Sequence, residues 1–176
     1  MGNRLRTVKE ALTAKSLAGL DALIVVDPDT PAETANPQYF SAAEIAAVDQ
    51  WVKQGGRLLL LGNDQGNAEF EHFNQLAARF GIRFIEGKHT DAKGNSELTL
   101  KTPSGGTFYA VDVAPLEVKN PAAQVLRAKS NTPLMVQVKH GKGAVVYLGH
   151  PLYNEYIGSS DNRRLGLDLF RTLLQQ

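Results

Sequence analysis

The chain has no cysteine among its 176 residues. That absence excludes disulfides, thiolate metal sites and a cysteine nucleophile, but it leaves the compartment open, because secreted proteins also dispense with cysteine. An excess of charge of one sign is lacking as well. Nineteen basic against eighteen acidic residues leave a formal charge of +1, which gives no electrostatic footprint for nucleic acid or an anionic membrane. The densest basic pairs, Arg4/Arg6 and Arg163/Arg164, read as solvated surface. No apolar run approaches the roughly 20 residues that span a bilayer, and the opening "MGNRLRTVKEALTAK" lacks the apolar core of a signal peptide. Neither Gly-x-Gly-x-x-Gly after a strand nor a Gly-Lys-Ser/Thr phosphate loop occurs, which argues against nucleotide binding. What is present is globular: 43% hydrophobic and 21% charged residues, enough to bury the core of a single domain over residues 1–176.

"LDALIVVD" (20–27) is a short apolar run, consistent with a parallel strand buried on both faces. The Pro- and Thr-rich stretch 28–40 is a loop. Ser41 with Glu44 forms a capping box, and Ala42, Ile45, Ala46, Val48, Trp51 and Val52 give a helical stripe that Gly55–Gly56 stops. "RLLLL" (57–61) is a second strand. A second helix is expected from Asn67, with Phe70, Phe73, Leu76, Ala77 and Phe80 on one face, and "IRFI" (82–85) is the strand after it. This alternation predicts an α/β fold with a mostly parallel sheet and right-handed crossovers. The second half is β-rich. "KHGKG" turns into "AVVYLGH" (144–150), a hairpin signal, and a final helix carries Leu165, Leu169, Phe170, Leu173 and Leu174. The weak, basic opening "RLRTV" (4–8) suggests a sheet that lacks its first β–α unit.

The polar groups concentrate after the strands, where ligands collect in open α/β sheets. Gly62–Asn63–Asp64–Gln65–Gly66 has the Gly-x-Xaa-x-Gly spacing of a nucleophile elbow, with Asp64 at its centre. A carboxylate there can serve as nucleophile or base, and the same residues also suit an ordinary turn and helix cap. His150, ending a later strand, is positioned to meet Asp64 on the same rim as a general base or donor. "VDPDT" adds Asp27 and Asp29; Asn67 opens the helix expected there; "LYNEY" supplies Tyr153 and Asn154, whose ring and amide suit sugar faces and hydroxyls. Glu69 and His72 form half of a di-metal carboxylate motif, but no second half is visible, so neither metal nor cofactor is expected. Glu69 and Glu71 instead complement a helix start.

The elbow and the late histidine resemble the class I glutamine amidotransferase-like superfamily. Asp64 stands at that family's cysteine position, His150–Pro151 match its histidine and proline, and Leu152 replaces its glutamate. More specifically, residues 17–85 and 136–175 look like the amidotransferase-like module appended to bacterial unsaturated rhamnogalacturonyl hydrolases. The resemblance implies a flavodoxin-like three-layer sandwich without glutaminase activity, since an aspartate has no thiolate to form the thioester. It also implies an accessory role in pectin breakdown, in the periplasm or outside the cell as part of an exported enzyme, with the cytoplasm left open.

Three functions follow as expectations. The leading one is a non-catalytic module whose rim, lined by Asp27, Asp29, Asn63, Asp64, Asn67, His150, Tyr153 and Asn154, binds an acidic oligosaccharide. The second is a hydrolase using Asp64 and His150, with the backbone N–H of Gln65 as oxyanion donor. The third is a module that docks a glycoside hydrolase catalytic domain. Its mark would be an exposed apolar patch, and such a patch would also make the isolated chain a homodimer.

Overall fold

The computed structural model describes residues 4–152 apart from 65, 97 and 102–104, together with residues 164, 166–168 and 171. The C-terminal apolar stripe expected at Leu165, Leu169, Phe170, Leu173 and Leu174 lies outside them.

A one-turn helix, α1 (Ala14–Leu17), leads into strand β1 (Ala22–Val26). Helix α2 (Ala42–Lys53) begins at the capping box read in the sequence: Ser41 Oγ accepts from Glu44 N, and the Glu44 carboxylate accepts from Ser41 N. Strand β2 (Arg57–Leu61) follows. Helix α3 (Phe70–Ala77) starts three residues later than Asn67, because Glu69 takes the cap and accepts from the N–H groups of His72 and Phe73. A 3₁₀ turn, Ala78–Phe80, ends at Gly81, whose left-handed φ of 83° closes the helix. The second half is strands: β3 (Ile82–Phe84), β4 (Leu98–Lys101), β5 (Thr107–Ala110), β6 (Leu116–Val118), β7 (Gln124–Lys129), β8 (Thr132–His140) and β9 (Gly143–Leu148).

The main sheet has the order β1-β2-β9-β8-β7. Its β1–β2 and β2–β9 ladders are parallel, and its β9–β8 and β8–β7 ladders are antiparallel. The sheet is therefore mixed, and the chain holds more strand than helix. The expected mostly parallel, flavodoxin-like sandwich is wrong, and two local features explain why. Strand β3, expected to continue the parallel series, leaves the main sheet and pairs antiparallel with β6. Its place beside β2 is taken by β9, which arrives as the second arm of a hairpin and so brings β8 in antiparallel.

Side chains alternate across a strand, and β2 shows what that does here. Leu58 and Leu60 point into one core with Val145 and Tyr147 of β9, Val48 and Val52 of α2, and Phe73 and Leu76 of α3. Leu59 and Leu61 point into a second core with Val146 and Leu148 of β9 and Phe108 and Ala110 of β5. A four-leucine run is what a strand buried on both faces needs. Both helices share one face because β1, β2 and β9 advance across the sheet in one direction, and right-handed crossovers then all fall on the same side. The opposite face is covered by the β4–β5 hairpin. Among the described residues the parallel strands never reverse their order, so the sheet lacks the switch-point crevice of a doubly wound fold.

Candidate functional site

Parallel pairing of β1, β2 and β9 brings their carboxyl ends to one rim. Backbone bonds hold the loops there: Asp27 N donates to Leu61 O at 2.8 Å, Gly62 N to Leu148 O at 2.9 Å, and Glu69 N to Pro28 O at 2.9 Å. On that frame four of the expected residues form a continuous chain. Asn63 Nδ2 donates to Asp27 Oδ2 at 3.1 Å, Asn63 Oδ1 accepts from Asp64 N at 2.9 Å, and Asp64 Oδ1 accepts from Asn67 Nδ2 at 2.6 Å. Asp27 holds a positive φ of 46°, a left-handed conformation that Asp and Asn tolerate better than most residues. Asp29 is joined to none of these four by a hydrogen bond among the described residues. Tyr153, Asn154 and the backbone of residue 65 lie outside them.

His150 is at the same rim but one layer down. It is 1% exposed, and the ring of Phe108 packs edge-on against it with centroids 5.8 Å apart. Its Nδ1 accepts from Leu152 N at 3.0 Å. The proton of the neutral ring therefore sits on Nε2, which is buried without a hydrogen-bond partner. Burial lowers its pKa to about 4, although the Asp112 charge opposes the shift. No hydrogen bond or ion pair joins His150 to Asp64.

Two residues that the sequence reading passed over complete the rim. Lys88 Nζ lies 2.9 Å from Asp112 Oδ1. The Lys88 ammonium is stabilised first by Asp112 and further by Asp64. Burial pushes the Asp112 carboxyl up, but the Ser96 hydroxyl, Lys88 and His150 together hold it below its ordinary value. Asp64, Lys88, Asp112 and His150 are thus electrostatic neighbours. Lys88 and Asp112 are 24 positions apart in the β-rich middle of the sequence, and no spacing rule links them.

The elbow expectation fails on geometry. A nucleophile elbow turns straight from strand into helix. Here Asp64 lies three residues beyond the end of β2 and six before α3, and its carboxylate is tied to Asn67.

Further along, Glu69, Glu71 and His72 place ligand atoms within 4.8 Å of one another. The Glu69 carboxylate is already committed to capping α3 and to His72 Nδ1, 3.0 Å away. Burial raises the Glu69 pKa, yet those bonds outweigh it and leave the net shift downward. Asn74 of the same helix fastens α3 to β3, accepting from Phe84 N at 2.8 Å and donating to Phe84 O at 3.0 Å.

Fold and site together define a mixed-sheet α/β module with a polar, non-elbow rim. The chain belongs to the family described as domain of unknown function DUF4350, whose model matches residues 6–170. A search of curated proteins finds no match. Among solved structures it is similar to the mmIFT52 N-terminal domain, with TM-score 0.73 and 18% identity over 97% of this chain and 84% of that one. It is also similar to the cytoplasmic protein STM1381 from Salmonella typhimurium LT2, with TM-score 0.63 and 14% identity over 94% and 76% of the two chains. A third likeness is to an exo-beta-1,4-mannosidase from Opitutaceae bacterium strain TAV5, with TM-score 0.52 and 18% identity over 86% of this chain and 24% of that one. Identities this low show the fold alone. The family and these neighbours overturn the resemblance to a glutamine amidotransferase-like, flavodoxin-like module of rhamnogalacturonyl hydrolases. The motif behind it, an elbow facing a histidine, is not formed. No helix among the described residues is long and apolar enough to cross a membrane.

Proposed function

We propose that the chain is a non-catalytic binding module whose rim takes a neutral, hydroxyl-rich ligand of glycan type. The observation that carries this reading is the chain Asp27–Asn63–Asp64–Asn67, which holds two carboxylates and two amides in fixed register on part-exposed loops. Carboxylates accept from hydroxyls, and amides both donate and accept, so pre-ordered groups of this kind match vicinal hydroxyls at little entropic cost. Charge balance sets the ligand class. Among the described residues, Asp64 and Asp112 both act on the one ammonium of Lys88, so an acidic oligosaccharide would be repelled there where a neutral one is not.

The chemistry of His150 favours binding over hydrolysis. Its Nδ1 lone pair is occupied by Leu152 N–H and its Nε2 bears the proton, so neither nitrogen is free to take a proton from water or a hydroxyl. That a similar fold makes up 24% of a mannosidase chain agrees with an accessory role in a glycan-degrading protein.

The test follows the side-chain amide signals of Asn63 and Asn67 by NMR. The chain is titrated with mannotetraose, cellotetraose and tetragalacturonate. We expect saturable shifts with a neutral sugar, loss of those shifts in Asp64→Ala, and sugar recovered intact. Shifts with tetragalacturonate alone would overturn the ligand class. Silence with all three sugars would overturn the rim as a binding site, and cleaved sugar would overturn the non-catalytic reading.

A further inference from the structure

At the opposite end of the sheet, where β1 and β2 begin, a cleft of about 480 Å³ opens between Leu20, Asp21, Trp51, Gln54 and Arg57. Its construction starts at the end of α2. Gly56 N donates to Trp51 O at 3.1 Å and Gly55 N to Val52 O at 2.9 Å, so the chain folds back under the last turn of the helix. Gly55 takes a φ of +124°, which a side chain disfavours. Gly56 is required for a different reason. A Cβ there would lie 2.3 Å from the Trp51 indole, so the ring rests directly on the Gly56 backbone. Arg57 N then donates to Asp21 O at 3.3 Å, closing the mouths of β1 and β2.

The result is a half-buried Trp51 that packs against the hydrophobic core and rests on the backbone beneath it, with exposed Asp21, exposed Gln54 and half-buried Arg57 around the same opening. An immobilised aromatic wall ringed by planar polar groups is the chemistry of pyranose recognition. The apolar sugar face stacks on the ring, while adjacent hydroxyls donate to a carboxylate and accept from a guanidinium or amide. The volume lies in the range of small-ligand sites, roughly 300–1,000 Å³. Asp21 and Arg57, one residue of each sign, are the charged residues lining the opening, a balance that suits a neutral ring.

We infer that this cleft is a saccharide subsite in which Trp51 stacks a neutral pyranose and Asp21, Gln54 and Arg57 hold its hydroxyls. It is separate from the rim and does not depend on the rim's reading. Trp51 is the chain's single tryptophan, so its indole N–H signal and red-edge fluorescence report this cleft alone. The intact chain is titrated with cellotetraose, mannotetraose and galactotetraose, while the indole signal and the Asn63 and Asn67 amides are followed together. At least one sugar should move the indole signal saturably, and Asp21→Ala and Gln54→Ala should each weaken that titration at least about fivefold. Both residues are exposed, and an unchanged far-ultraviolet spectrum confirms that the variants fold. An indole signal unmoved by all three sugars, or moved equally in both variants, would overturn the subsite. Movement of Asn63 and Asn67 alone would leave the rim standing and remove the cleft, and movement of the indole alone would do the reverse.

Discussion

His150 and Asp49 show how a single buried group can carry consequences that its sequence position conceals. Asp49 is 1% exposed and binds Lys53 at 2.8 Å, Arg79 at 2.8 Å and His140 Nε2 at 2.6 Å. Burial pushes its carboxyl up, but the three donors outweigh that and hold it far below the ordinary carboxylate range. In the sequence it is one polar residue within a helical stripe. Two of its partners are 30 and 91 positions away, so only the Lys53 contact, four residues along the helix, has a local signature. His150 was legible as a rim residue; its burial was not, because that depends on Phe108 from another strand. The histidine has a measurable effect on stability. Its pKa is near 4 in the fold against about 6.5 unfolded. The unfolded chain therefore binds more protons between those values, and stability falls as pH drops through that window. Single-site linkage puts the loss at about 2 kcal/mol between pH 7 and pH 5. Burial lowers His89 in the same direction, so the wild-type slope holds both contributions. Urea unfolding at the two pH values should show a smaller loss in His150→Asn than in wild type. Equal losses would mean that the ring is not buried neutral.

At the level of elements, what the sequence revealed was local and what it hid was pairing. The capping box at Ser41, the four-leucine strand and the hairpin turn into β9 all depend on residues a few positions apart, and all three form. The destination of β3 depends on competition between distant strands. Ile82 and Phe84 suit either sheet; pairing with β6, and Asn74 clamped on the Phe84 backbone, decide it. Glycines divide along the same line. Gly66, read as part of an elbow, has φ +86° and nothing within 4 Å of an added Cβ. Gly149 belongs to no sequence motif, yet a Cβ there would meet Ala114 O at 1.9 Å, at the point where Ala114 N donates to Gly149 O. Gly66→Ala should therefore cost about 1 kcal/mol, the price of a left-handed alanine. Gly149→Ala should cost about 3 kcal/mol, because backbone must move. Urea midpoints check both, and the order of the two costs is the discriminating result. A Gly149→Ala protein as stable as wild type would show that β9 does not pass this close to Ala114.

For the whole molecule, the arrangement of cores predicts where the fold opens last. β2 and β9 lie side by side in the middle of the sheet, and each sends alternate residues into both cores: Leu58, Leu60, Val145 and Tyr147 to one face, Leu59, Leu61, Val146 and Leu148 to the other. Exposing their amides requires losing both cores at once, which amounts to global unfolding. β1 and β7 are the outer strands of the sheet. β7 is irregular as well: its register shifts twice along β8 and Val125 is 44% exposed. The hairpin of β4 and β5 forms a separate two-stranded sheet, anchored to the second core through Phe108 and Ala110. Local stability follows buried apolar contact and the number of ladders flanking each amide. Native-state hydrogen exchange should therefore rank Leu58–Leu61 and Val145–Leu148 together at the global limit, β8 just below, then β1 and β7, with β4–β5 exchanging first. The parallel β2–β9 ladder joins residues almost 90 positions apart, from Arg57 with Ala144 to Leu61 with Leu148. It is the pairing that turns two locally readable hydrophobic runs into one domain. If β2 retained protection while β9 exchanged with the edges, the molecule would be two units rather than one, and the rim shared by their carboxyl ends would not be a fixed surface.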